Sequence, residues 1–79
     1  MNKLRREHLK RAIESIKEAA EVISEVKEEE QEALDNLPES LQESERAEKM
    51  QECIDLLEEA QDDLESKVIE LEEKILEEG

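Results

Sequence analysis

The sequence predicts an all-α fold, an antiparallel two-helix hairpin of coiled-coil type that dimerises into a four-helix bundle. Three observations predict it. Two long stretches carry apolar residues at alternating three- and four-residue steps, the spacing of a stripe along one helix face. A single proline, Pro38, stands between them. The composition is 47% charged and 35% apolar, with no Phe, Tyr or Trp. High charge with low hydrophobicity also marks disordered chains, but apolar residues this periodic point to long helices instead. Seventy-nine residues fit one small domain. It divides into a helix over about 3–36, a hinge over about 35–41 and a second helix over about 41–78.

In the first helix the stripe runs through Leu9, Ala12/Ile13, Ile16, Ala19/Ala20, Ile23, Val26, Ala33/Leu34 and Leu37, with no Gly or Pro to interrupt it. Glu30 falls where an apolar residue is expected, so looser packing is expected there. The second helix is more regular. Ala47, Met50, Ile54, Leu57, Gln61, Leu64, Val68, Leu71 and Ile75 keep a strict 3-4 alternation, and Met50 through Ile75 form the expected oligomer seam. Cys53, Leu56, Ala60, Ile69 and Leu76 widen the apolar face, which suggests more than one neighbouring helix. Gln61 is polar within the seam, a device that fixes register or partner number.

The hinge follows from local chemistry. Pro38 cannot continue a helix and biases Leu37 away from helical geometry. Ser40-Leu41-Gln42-Glu43 then matches the S-x-x-E capping box, so Ser40 and Glu43 are expected to start the second helix. The short connection favours antiparallel neighbours. Residues 1–11 carry Lys3, Arg5, Arg6, Lys10 and Arg11, and residues 70–79 carry Glu70, Glu72, Glu73, Glu77 and Glu78. Each bias opposes its own helix dipole, and an antiparallel hairpin would let the basic start and the acidic end offset one another. A hairpin alone leaves much apolar surface wet, hence the expected homodimer.

Residue types for catalysis are sparse. No Ser/His/Asp or Cys/His grouping can be assembled. His8, the single histidine, reads as an ordinary exposed side chain. Cys53 lies between Glu52 and Asp55, the opposite of the electropositive setting a reactive thiolate needs, and reads as a small buried hydrophobe. No glutamate stands three residues before His8 to make a di-iron pair, and the one glycine, Gly79, cannot support a calcium loop. The expectation is a non-enzyme with no catalytic residue, cofactor or metal.

The net charge of −15 disfavours direct nucleic-acid binding, which needs Lys and Arg for phosphates, and the lack of aromatics removes base-stacking platforms. Basic protein surfaces or cations are the natural partners. The basic residues at the start precede no apolar leader region, and no run approaches the ~20 apolar residues of a membrane span. No membrane partner and a cytoplasmic location are expected.

The acids themselves are patterned. Glu14, Glu18, Glu21, Glu25, Glu28 and Glu32 form a stripe on the first helix, and Glu48, Glu52, Asp55, Glu59 and Asp62 on the second. Repulsive i,i+4 pairs such as Glu14–Glu18 and Asp55–Glu59 outnumber attractive ones such as Glu45–Lys49. At ~0.2–0.5 kcal/mol each, these placements weaken the helices, so the charge serves something other than helix stability. Past residue 11 there are 25 acids and six bases. Over a rod of about 50 Å that is one net charge per ~2.6 Å, within a factor of two of the ~1.7 Å of duplex DNA. A decoy for a nucleic-acid groove would look like this, and so would a merely solvated bundle surface.

The hinge segment Asn36-Leu37-Pro38-Glu39-Ser40-Leu41-Gln42-Glu43-Ser44-Glu45-Arg46 resembles the Asn-Leu-Pro-Glu-Ser-Leu-Gln-x-Ser-Glu-Arg core of small acidic helical proteins of phages and prophages of Gram-positive bacteria. The resemblance implies a bacterial host cell and a protein that binds and blocks a host factor such as a restriction, CRISPR or other defence component. It implies no catalytic residue. Neither the proline break nor the capping box requires Asn36, Gln42, Ser44, Glu45 and Arg46, which makes them candidates for partner contact at the hinge or for local hydrogen bonds that knit the turn. The functional expectation is an acidic decoy or inhibitor of a basic, nucleic-acid-binding host factor. The alternative is a structural coiled-coil assembly module.

Overall fold

A computed structural model describes residues 1–76 of the chain. Two long helices, α1 (Lys3–Asp35) and α2 (Glu45–Leu71), fold back on one another as a hairpin, with a three-residue 3-10 turn, Glu39–Leu41, in the connection. A π-helical turn, Glu72–Leu76, carries α2 onward. The expected continuation to about 78 lies partly outside the described residues. The result is a rod with extents of 59 × 15 × 13 Å.

α1 begins where Asn2 provides an N-cap, its side-chain Oδ1 accepting from the Arg5 N–H at 2.9 Å, which satisfies one of the four N–H groups a helix start leaves unpaired. α1 ends at Asp35, with Asn36 as its C-cap, one residue earlier than expected. Pro38 then adopts an extended ψ of 147°, and the chain turns.

The start of α2 corrects the sequence expectation. Ser40 and Glu43 do not form a capping box. Ser40 lies inside the 3-10 turn, and α2 begins at Glu45 rather than near 41. Ser44 is the N-cap. Its Oγ accepts from the Ala47 N–H at 3.3 Å, and its carbonyl accepts the first α2 bond from Glu48 at 3.1 Å. The reversal needs the extra residues to cross the 8–10 Å that separate packed helix axes. Starting at Glu45 also sets Ala47, 4% exposed, into the core beside Leu34 and Ile54, with Leu37 and Met50 packed around them.

The core is one seam between the helices. Ile13, Ala20, Leu34, Ala47, Ile54 and Val68 are buried. Met50, Leu57, Gln61, Leu64, Leu71 and Ile75 are half-buried, so the eight residues of the expected α2 seam all face inward. Gln61 donates to Glu65 at 3.3 Å, one turn along its own helix.

The stripe on α1 differs from expectation in its middle. Counting 3-4 steps from Arg6 gives Leu9, Ile13, Ile16, Ala20, Ile23, Lys27, Glu30, Leu34 and Leu37, and every one of these is buried or half-buried. Lys27 thus occupies the seam position, while Val26 is 43% exposed. The apolar layers on either side hold α1 in one register across this stretch. Lys27 and Glu30 can cover the seam with their aliphatic stems while their charged ends reach water.

Candidate functional site

The eleven stripe acids occupy heptad positions on the outward side of each helix. Glu14, Glu18, Glu21, Glu25, Glu28 and Glu32 on α1, and Glu48, Glu52, Asp55, Glu59 and Asp62 on α2, are all exposed. They form two ridges on the far sides of a hairpin roughly 20 Å across, the width of two helices. Steps of three and four residues put neighbouring acids ~4.5–6 Å apart in rise, against ~3.4 Å between phosphates along one DNA strand. Only Glu14 among the eleven lies within 4.0 Å of a cation, Lys17 at 3.7 Å, among the described residues. Gln51 donates to Asp55 at 2.9 Å.

The other ion pairs, Lys10–Glu7, Lys49–Glu45 and Lys67–Glu70, are local and exposed. The expected pairing of the basic start with the acidic end takes a different form among the described residues. Glu72 pairs across the helices with Lys17 at 3.4 Å, not with Lys3, Arg5, Arg6, Lys10 or Arg11. Glu77 and Glu78 lie outside the described residues.

The hinge candidates divide by use. The Gln42 Nε2 group donates to the Leu34 and Leu37 carbonyls at 3.2 and 2.8 Å, joining the Leu37 N–H on the Leu34 carbonyl and tying the 3-10 turn to the end of α1. Ser44 donates to the Leu41 carbonyl at 2.6 Å while capping α2. Asn36 contributes its backbone N–H, bonded to the Glu32 carbonyl at 3.0 Å. Glu45 stands in the first turn of α2, 3.4 Å from Lys49, where a negative charge suits the helix dipole. Arg46 is exposed and lines a shallow groove with Glu30, Lys49, Met50 and Cys53. Two of the five side chains therefore build the turn, while Glu45 and Arg46 face outward.

His8 on α1 is exposed, as expected, whereas Cys53 on α2 is exposed rather than buried, because it flanks the inward Ile54 instead of entering the seam. Among the described residues no three His, Cys, Asp or Glu side chains are grouped to hold a metal ion, and no helix is long and apolar enough to cross a membrane.

One surface is not evident from the stripes alone. Ala12, Ala19, Val26 and Ala33 each precede an inward residue of α1, as Cys53 and Ala60 do on α2, with Arg46 and Lys67 at the same position nearer its two ends. In an antiparallel pair these flanking positions share one edge of the hairpin. The opposite edge is polar, with Lys17, Gln31, Gln51, Glu58, Glu65 and Glu72, and the Lys17–Glu72 pair bridges it. A strict heptad count from Arg6 separates the two edges in the sequence itself.

No protein-family model matches the chain, and neither a curated protein nor a solved structure matches it.

Proposed function

We propose that this chain is a non-enzymatic, phage-type interaction module, an acidic decoy that occupies the basic, nucleic-acid-binding cleft of a host factor in the bacterial cytoplasm as a form of anti-defence. The observation that carries the reading is the pair of outward ridges, ten of whose eleven acids have no cation within 4.0 Å among the described residues. The net charge of −15 is one per ~3.9 Å of the 59 Å rod, a little over twice the ~1.7 Å spacing of duplex DNA. A cleft built for phosphates would release counterions to this rod as it does to nucleic acid. The module acts as a homodimer, a reading supported by the half-buried seam residues and by exposed Val22, Val26 and Leu56.

The test begins with capture of partners from a bacterial lysate on the tethered protein. The captured partner's affinity for duplex DNA is then measured with and without the chain, at about 50 and 200 mM salt. A decoy lowers DNA affinity at the low salt and loses its target steeply at the higher one. A partner that holds DNA undiminished while the chain is bound excludes the decoy. The exposed apolar residues support a second reading, a structural coiled-coil assembly module, whose association would be nearly indifferent to salt.

A further inference from the structure

We infer that the apolar edge of the hairpin is the surface on which a second copy of this chain docks, lengthwise and antiparallel, with the hinge tip of each copy beside the open end of the other. The inference rests on the homodimer in the reading above and adds its face and direction.

The face follows from exposure. Val22 is 56% exposed, Val26 43% and Leu56 66%. Ala12, Ala19 and Ala33 are exposed, Cys53 is exposed and Ala60 half-buried. On α1 the series Ala19, Val22, Val26 steps by three and four, and so does Cys53, Leu56, Ala60 on α2, so each helix adds a second narrow stripe beside its buried one. The groove formed by Glu30 with Arg46, Lys49, Met50 and Cys53 confirms that Cys53 lies at the margin of α2 that borders α1. The other exposed large apolar residues, Met1, Leu4, Leu41 and Ile69, are scattered singly, as is normal for protein surfaces.

Size decides between lengthwise and end-on contact. A full side of the rod, 59 Å by 13 Å, is about 770 Å², close to the ~800 Å² a standard interface takes from each partner, and the apolar residues from Ala12 to Ala33 fill the central ~32 Å of it. An end face of 15 by 13 Å offers only about 200 Å², far below the size of a stable interface. The small residues Ala12, Ala19, Ala33 and Ala60 let two such rods approach closely.

Charge decides the direction. Around the tip, residues 28–46 hold eight acids and one base, Arg46. At the open end, residues 1–11 and 70–79 hold six bases and six acids. Parallel docking would bring two tips of net −7 together, whereas antiparallel docking sets each beside an end with no net charge and so avoids that repulsion. On α1 the edge itself runs from Arg5 and His8 near the open end to Glu29 near the tip, which matches an antiparallel copy of the same helix, while α2 adds Arg46 at the tip and Lys67 and Lys74 toward the open end.

The full chain tests this in two steps. Sedimentation equilibrium gives the oligomeric state of the native protein and of the double variant Val22→Glu, Leu56→Glu. Both residues are exposed, so circular dichroism should read the same helicity in the variant while the dimer is lost. Direction is read from a nitroxide label on Glu43→Cys in a Cys53→Ser background, by pulsed electron paramagnetic resonance. Antiparallel docking puts the two tip labels more than about 30 Å apart at 1.5 Å per residue, and tip-to-tip docking puts them under about 20 Å. A native monomer at high concentration overturns both the homodimer and this arrangement. A dimer that survives Val22→Glu with Leu56→Glu, or one with short tip-to-tip distances, overturns the arrangement and leaves the homodimer standing.

Discussion

Two stretches of the same seam solve the same packing problem with different side chains. Toward the open end, Ile13 is 2% exposed and Leu9 and Ile16 flank it half-buried. Midway, Lys27 and Glu30 occupy equivalent inward positions and are also half-buried. α1 runs unbroken through both. The comparison teaches that register, once set by apolar layers on either side, carries polar residues inward with it. Burial at the Ile13 layer supplies stability, and the Lys27 and Glu30 layers forgo some of it. Polar residues in a seam commonly trade stability for a defined register or partner number.

The comparison is broken most severely at its apolar end. Ile13→Ala should cost about 2–5 kcal/mol, read as a large drop in the urea midpoint or as loss of helicity at room temperature. The same change at Ile69, which is 54% exposed and off both the seam and the apolar edge, should barely move that midpoint. Sharpening the polar end works in the opposite direction. Lys27→Leu should raise stability by about 1 kcal/mol, since half the burial of a leucine side chain is gained; an unchanged or lowered thermal midpoint would mean that the lysine's ammonium makes a contact worth more than the apolar area.

Smaller effects separate the caps and the edges. Ser44→Ala should cost about 1 kcal/mol through loss of the N-cap, whereas Ser40→Ala should be close to neutral; equal effects in denaturant titrations would restore the capping box at Ser40. Lys17→Ala removes the bridge to Glu72 on the polar edge. Because both side chains are substantially exposed, the loss should stay under about 0.5 kcal/mol and shrink further in high salt.

Much of the architecture was legible in the sequence because helices obey local rules. The 3-4 steps on α2 all led to inward residues, Met50 and Ile75 included, and α1 ended within one residue of the expected 36. The outward ridges were equally legible, since Glu14 to Glu32 and Glu48 to Asp62 only had to be counted against the apolar stripe. What resisted was any choice between two locally equivalent options. Ser40 and Ser44 both look like N-caps, and Val26 and Lys27 are adjacent on the helix surface. Hydrophobicity alone favours Val26. The register imposed by Ile23 and Leu34 favours Lys27, and register prevailed. Gln42 shows the same limit: nothing in its neighbours announces bonds to the Leu34 and Leu37 carbonyls, because its side chain comes within reach of them only once the chain has turned.

The sequence by itself determined that there are two long helices, that Pro38 separates them and that the acids line their outer faces. These depend on periodicity and on a ring that cannot continue a helix, both properties of a few consecutive residues. Only the tertiary structure decided where α2 begins, which of two neighbouring residues enters the seam, and that the alanine and valine flank of α1 shares an edge with Cys53 and Ala60. Those depend on how one helix is seated against another, and that seating is a free-energy minimum over the whole rod rather than a property of any segment.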